Sequence, residues 1–318
     1  AKQGHDVVVI TTSLPPLSRE AFIFTPTRQE LNDVKVLRLG SFIFREVPVS
    51  LNLISYLCKT DFDVIHLHLN SMPYQPEVAM LLARLKGIPI ISHVHIDPES
   101  TLPWLKLYLR FTSKIIFDVS KAIIVPTKHY KWLIGTKYRH HKKVVVIPHG
   151  IDPSDFESFK KKERDEGLSI LFVGRITHQK GLDRLIFAVK GILKVMPEVK
   201  LTIVGPSIPS ERKYYMHILR MVNQLDLNRC VRFLGRVSKD KLLEMYNQAS
   251  VFVAPSRFES FGIVLLEAMA SGVPIVASNI PEFQEVTNGF ALLIDPSPEN
   301  LSEAIVKTIL DKDTKENM

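Results

Sequence analysis

Cysteine is nearly absent from this chain: Cys58 and Cys230 are the only two in 318 residues. Their spacing suits neither a disulfide framework nor a thiolate metal site, and points to a reducing compartment. Long apolar runs are missing as well. None reaches the ~18 residues that a membrane-crossing helix needs, and the first residues do not read as a secretory signal. Both the GxGxxG fingerprint of nicotinamide enzymes and the P-loop GxxxxGK[ST] are lacking. So are short repeats, low-complexity tracts, zinc-finger spacing, RNA-binding signatures and arginine-rich arms. Nucleic acid therefore ranks last among partners, and the net charge of +8 favours a nucleotide diphosphate or an anionic membrane surface.

What is present is an ordinary globular composition, 46% hydrophobic and 23% charged, in a chain comfortable for two domains. Short β-branched runs at 6–11, 34–39, 63–68, 89–95, 121–125 and 144–148 alternate with helical patterns. One of these, Gln75 to Lys86, carries Val78, Leu81, Leu82 and Leu85 at helical spacing and is closed by Gly87. With no hairpin turns between them, the runs predict a parallel sheet covered on both faces. Functional residues collect at the carboxyl ends of such strands, where His66, His68 and His95 fall. Pro148 to Gly167 reads as a linker. Strands are then predicted at 169–173, 200–204, 231–234, 251–254, 274–277 and 290–294. A helix over Leu182 to Leu193 buries Leu185, Ile186, Val189 and Ile192, and Ser238 caps another carrying Leu242, Leu243 and Tyr246. The fold class is α/β, two tandem doubly wound domains at 1–152 and 153–318.

The chain is organised around Arg257 to Gly272, RFESFGIVLLEAMASG. Glu259 precedes a Ser-Phe-Gly turn, and Glu267 follows eight residues on, inside an apolar helical run. Ile263, Leu266, Ala270, Val264 and Ala268 suit a helix packed on a sheet. Ser260 and Gly262 sit where it begins, with unpaired N–H groups facing a would-be diphosphate. Eight helical residues span about 12 Å, the length of a sugar–diphosphate–ribose chain. Two glutamates at this spacing also suit a solvated face, but a carboxylate within an apolar run is rarely buried without a partner.

A second cluster lies at Gly174-Arg175-Ile176-Thr177-His178-Gln179-Lys180-Gly181, a strand-to-helix loop. Arg175 can grip a phosphate bidentately, and Lys180 adds a mobile point charge. The alternative is a solvated loop with surface charges. Gly205 and Gly235 end the following strands, where glycine lets backbone approach a ligand.

FVGRITHQKGLDRLIFA (172–188), IVGPS (203–207), the run from Val231 to Ser278 and GFALLIDPSPENLSEAI (289–305) resemble the retaining, two-Rossmann-domain glycosyltransferases of family 4. The resemblance covers nearly the whole chain, and Glu259 to Glu267 matches that family's E-x7-E motif. It implies the GT-B architecture, with two Rossmann-like domains facing a cleft. It also implies a nucleotide-sugar donor as co-substrate, retention of configuration, and neither cofactor nor metal. Carried over, Arg175 and Lys180 stabilise the leaving diphosphate and Glu267 binds the ribose. Glu259 contacts the donor sugar, and the amides of Phe261, Gly262 and Ile263 complete the phosphate seat together with Ser260 and Gly174. The base lies near Arg232 to Gly235. In PIISHVHIDPE, His95 matches the family's strand-ending histidine, with His93 an outside candidate. His66 is expected to pack inward and His68 to face the cleft. IPHGID (147–152) resembles the interdomain IPNGVD, with His149 in place of asparagine.

Departures from the family pattern carry their own expectation. The opening AKQGHDVVVIT corresponds to the end of the family's first helix and its second strand. Lys307 to Met318 stops before the helices that return across the first domain, and 278–288 lacks a Gly-Gly pair. The expectation is a sequence shortened at both ends. A non-catalytic nucleotide-sugar-binding chain is then the alternative to a glycosyltransferase, and a two-domain epimerase a weaker one. The resemblance implies a sugar or lipid-linked acceptor, since several members of the family use polyisoprenoid or glycolipid acceptors. Thr101 to Phe117 mixes Trp, Tyr, Phe and Leu with Lys106, Arg110 and Lys114, beside KYRHHKK at 137–143. Such a helix suits peripheral contact with the inner face of an anionic membrane by a cytoplasmic protein. A core-packing helix with a basic rim is the other reading.

Overall fold

Runs of β-branched residues with no polar alternation belong in sheets covered on both faces, and the second half of the chain supplies them. The computed structural model describes residues 4–12, 27–31, 33–44, 47–69, 74–95, 103–157 and 168–311. The readings on 101–102, on the later linker and on the last seven residues lie outside the described residues, as does the side chain of Lys106. The chain divides into two compact units, Ala1–Ile147 and Pro148–Met318.

In the second unit, a short helix α5 (Ser154–Glu157) precedes the strands β10 (Ser169–Val173), β11 (Lys200–Val204), β12 (Val231–Gly235), β13 (Val251–Ala254), β14 (Ile275–Ser278) and β15 (Leu292–Ile294). They form one six-stranded sheet, ordered β12-β11-β10-β13-β14-β15 and parallel throughout. Every residue of β13 and β14 is buried. The helices α6 (Leu182–Ile192), α7 (Arg212–Gln224), α8 (Lys239–Gln248), α9 (Ile263–Ala270), α10 (Pro281–Thr287) and α11 (Pro298–Leu310) connect them. On α6 the predicted face is the observed one: Leu185, Ile186, Val189 and Ile192 are fully buried, each contributing about 1.5–3 kcal/mol. Ser238 caps α8 as expected, its hydroxyl accepting from the Lys241 N–H at 3.3 Å. Strand order reverses between β10 and β13, and in doubly wound sheets ligands bind at the carboxyl ends beside that switch.

The first unit departs from a single parallel sheet. It contains β1 (Val8–Thr12), β2 (Thr27–Leu31), β3 (Val34–Leu39), β4 (Phe42–Phe44), β5 (Val47–Val49), α1 (Leu51–Lys59), β6 (Ile65–Leu69), α2 (Gln75–Lys86), β7 (Ile90–Val94), α3 (Pro103–Val119), β8 (Ala122–Val125), α4 (Lys128–Tyr138) and β9 (Val144–Val146). The expectation of no hairpins is wrong. Strands β2 and β3 pair antiparallel with Leu31 opposite Val34, and β4 pairs antiparallel with β5. A two-residue loop joins the first pair, and Asp33 within it takes φ 62, the left-handed conformation that tight hairpin turns require. Among the described residues the strands fall into β1-β3-β2, β4-β5 and a parallel β6-β7-β8-β9 sheet. Helix α2 spans the predicted residues and ends at Gly87 with φ 70, but its buried face is Ala79 and Ala83. Leu81 and Leu85 are exposed, because small residues let the helix sit close to its neighbours.

Candidate functional site

The loop after β10 and the loop after β13 meet at the switch point. Arg257 zips them together. Its backbone N–H donates to the Gln179 carbonyl at 2.8 Å, and its Nη1 donates to the His178 carbonyl at 2.8 Å. The Gln179 amide returns a bond to the Phe258 carbonyl at 3.0 Å. Both terminal nitrogens of Arg257 then grip Asp183 at 2.9 and 2.6 Å, the fork geometry in which Arg and carboxylate pair best. The Tyr214 hydroxyl donates to the same carboxylate at 2.6 Å. Burial alone would raise the Asp183 carboxyl, but the bonds from Arg257 and Tyr214 outweigh it and hold the group at about 2.

This clamp positions Lys180, whose ammonium donates to Glu259 Oε1. The Ser256 hydroxyl donates to the same oxygen at 3.0 Å. Glu259 is 7% exposed and Lys180 14%, so the pair is largely out of water, where a charge needs its partner. Gly174 lies against Lys180: a methyl group there would be 3.6 Å from its Cε. Gly205 approaches Gly174 still more closely, and a methyl at Gly205 would fall 2.0 Å from the Gly174 carbonyl oxygen. Only glycine permits that backbone contact. Arg175 is exposed and, among the described residues, makes no ion pair.

Helix α9 begins at Ile263, with Gly262 before it at φ 94; a methyl at Gly262 would strike the Phe283 ring at 2.6 Å. Two corrections follow. Only residues 263–267 of the Glu259-to-Glu267 spacing are helical, about 6 Å of rise rather than 12. The buried face is Leu265 and Ala268, while Ile263 is exposed, because the helix packs on the β14 side of its own sheet and against α10. Ser260 is half-buried and Phe261 buried, with the His149 ring edge-on to Phe261 at 5.1 Å. Glu267 does not join the Lys180–Glu259 pair. It accepts from the Tyr246 hydroxyl at 2.9 Å. Burial pushes its carboxyl up, and the tyrosine bond offsets part of that. Arg232 lies exposed on the edge strand β12, which Gly235 ends.

Sequence reading missed Asp183, Tyr214, Tyr246 and Ser256, and it passed over Arg257 although that residue opens the organising stretch. Nothing in their spacing reveals them. Ser256 and Arg257 precede Glu259 closely in the chain, but Asp183, Tyr214 and Tyr246 are brought in by other helices.

In the first unit, strand alternation puts His66 and His68 on one face of β6. His66 is exposed, not packed inward, because Leu67 and Leu69 take the buried positions between and beyond them. His68 pairs in register with His93 on β7. His95 follows β7, its Nε2 lying 2.7 Å from His68 Nδ1. Partial burial, and the charge that His68 carries when protonated, lower the His66 imidazole.

Family models match both parts. Residues 153–318 match glycosyl transferases group 1, and residues 1–155 match Glycosyltransferase Family 4. An uncharacterized glycosyltransferase of Methanocaldococcus jannaschii is 29% identical, over 90% of this chain and 75% of that protein. The phosphatidyl-myo-inositol mannosyltransferase of Mycobacterium tuberculosis is 29% identical, over 92% of this chain and 75% of its own. The fold resembles Anabaena HepE, solved with UDP and glucose, at TM-score 0.71 and 20% identity, over 84% of this chain and 74% of that one. No helix among the described residues is long and apolar enough to cross a membrane. With a family model matching residues 153–318, which carry the Lys180–Glu259 pair, this chain belongs to the glycosyl transferases group 1, a GT4-type glycosyltransferase of α/β fold.

Proposed function

We propose that the chain transfers a hexose from a nucleoside-diphosphate sugar to a sugar or lipid-linked acceptor, with retention of configuration and with no metal or cofactor taking part in the transfer step. The observation that carries the reading is the Lys180–Glu259 pair, held at the strand-order switch by the Arg257–Asp183 clamp. In this mechanism the bond from the anomeric carbon to the diphosphate oxygen breaks as the acceptor oxygen bonds the same carbon from the same face. The acceptor proton leaves with the diphosphate. Arg175, Lys180 and the amides of Phe261, Gly262 and Ile263 neutralise the charge that grows on that leaving group, where fixed charges contribute most. Glu259 takes donor-sugar hydroxyls and Glu267 the ribose, while the base lies along Arg232 to Gly235. His95 is the catalytic histidine toward the reacting sugar.

A lipid-linked acceptor draws support from α3. Leu107 and Phe111 are 71% and 67% exposed, and Ile115 continues the same stripe at a spacing of four residues. Arg110 and Lys114 lie on the same helix, with Lys114 bound to Asp118 at 2.9 Å. An apolar stripe with basic flanks suits peripheral contact with an anionic bilayer. The mannosyltransferase similarity points to the same acceptor class.

The test is turnover of UDP-, GDP- and ADP-sugars with and without EDTA, with Glu267→Ala and Arg175→Ala controls and the product anomer read by NMR. The expected result is one donor turned over, EDTA-insensitive, retained in configuration and lost in both controls. Donor binding without turnover against sugar and lipid acceptors would leave a nucleotide-sugar-binding chain instead, and an inverted product would overturn the mechanism.

A further inference from the structure

The face of β6 and β7 that carries His66, His68 and His93 is a further concentration of chemistry-bearing side chains among the described residues. One ligand nitrogen from each of the three lies within 4.8 Å of the other two. The rings are packed together: His66 and His68 have centroids 4.6 Å apart, His68 and His93 5.2 Å, and His66 stacks on His93 at 5.5 Å. Backbone pairing fixes this arrangement. His66 and His68 are two apart on one strand, and His68 is directly opposite His93 on the next, so no loop conformation is needed to assemble the set.

We propose that His66, His68 and His93 bind one divalent transition-metal cation of the zinc, cobalt or nickel class. A tetrahedral cation with nitrogen ligands at 2.0–2.1 Å needs ligand atoms roughly 3.4 Å apart, and torsional adjustment of imidazoles within 4.8 Å of one another reaches that spacing. Three imidazoles from a rigid sheet leave the fourth position open to water or a small anion. Imidazole suits zinc, nickel and copper, whereas magnesium and calcium take oxygen ligands, so the hard cations are excluded. His95 completes the set. A cation held by His68 Nε2 leaves Nδ1 of that ring engaged with His95 at 2.7 Å, the outer hydrogen bond that orients a metal-ligating histidine. The site lies within the first unit, and its occupation is measured without any nucleotide sugar.

The experiment titrates the metal-stripped full chain with Co²⁺ and follows visible absorption, then displaces the Co²⁺ with Zn²⁺. One equivalent, with the intense bands of low-coordinate cobalt, is expected. His66→Ala and His68→Ala should each abolish those bands, and His95→Ala should weaken binding by about 10–100-fold. His217→Ala, on α7 of the other unit, should change nothing. Imidazole NMR of the unsubstituted chain guards against misfolded variants: Zn²⁺ should shift the signals of this cluster and spare the remaining histidines. No saturable binding, or shifts confined to other histidines, would overturn the site. So would bands that survive in folded His66→Ala and His68→Ala variants.

Discussion

Lys180 on the β10–α6 loop donates to Glu259 on the β13–α9 loop, joining 79 residues of sequence separation in one largely buried ion pair. Removing one member leaves a buried charge without its partner. Lys180→Met is therefore expected to destabilise the fold by about 3–5 kcal/mol, and Lys180→Met with Glu259→Gln by clearly less. Urea unfolding of the two variants decides it; equal losses would mean that the pair is not coupled.

The Asp183–Arg257 clamp makes an acid-sensitive contribution to stability. The folded carboxyl is held at about 2, below its ordinary 3.8. A depressed carboxyl stabilises above its unfolded value, and that stability is lost as pH falls from about 4 toward 2. The contribution is about 2 kcal/mol. Asp183→Asn should lose it at neutral pH and show a flatter stability profile through that acid window. An unchanged slope would contradict the assignment.

Alanine at Gly205 places its methyl against the Gly174 carbonyl oxygen at a φ of 136, and backbone cannot yield as a side chain does. We expect Gly205→Ala to cost about 3 kcal/mol and to weaken donor binding together with it. Gly235→Ala, at φ 63 with open space around it, should cost only about 1 kcal/mol. Thermal unfolding and donor titration of both variants check the difference.

Tyr246 holds Glu267 in its acceptor form. Tyr246→Phe removes the bond at 2.9 Å and leaves burial unopposed, so the Glu267 carboxyl rises further. In the proposed site a protonated Glu267 would no longer accept two ribose hydroxyl bonds, so donor affinity is expected to fall as pH drops through its pKa. In the variant that fall should begin at higher pH, with KM raised more than kcat is lowered. An identical pH profile of donor KM would remove Glu267 from the ribose.

Much of the second unit was legible in the chain because its buried strands are short, mostly apolar runs and α6 repeats leucine and isoleucine at helical spacing. The first unit was less so. Its β2–β3 hairpin is marked only by Asn32-Asp33, a turn pair without the glycine that usually announces one, α2 buries Ala79 and Ala83 instead of its leucines, and α9 buries Leu265 beside the expected Ala268. Arg175, Lys180, Glu259 and Glu267 each lie within a short local pattern and so stand out as candidates in the sequence, and the structure pairs Lys180 with Glu259.

By itself, then, the sequence determined the α/β class, the strand-to-helix alternation and the loops where charge is concentrated, because these depend on residues a few positions apart. Only the tertiary structure decided that Lys180 meets Glu259, that the Tyr246 hydroxyl attends Glu267, and that three histidines from two strands share one face. Those pairings depend on strand order and register, which are set by packing across the whole sheet and have no signature within any one segment.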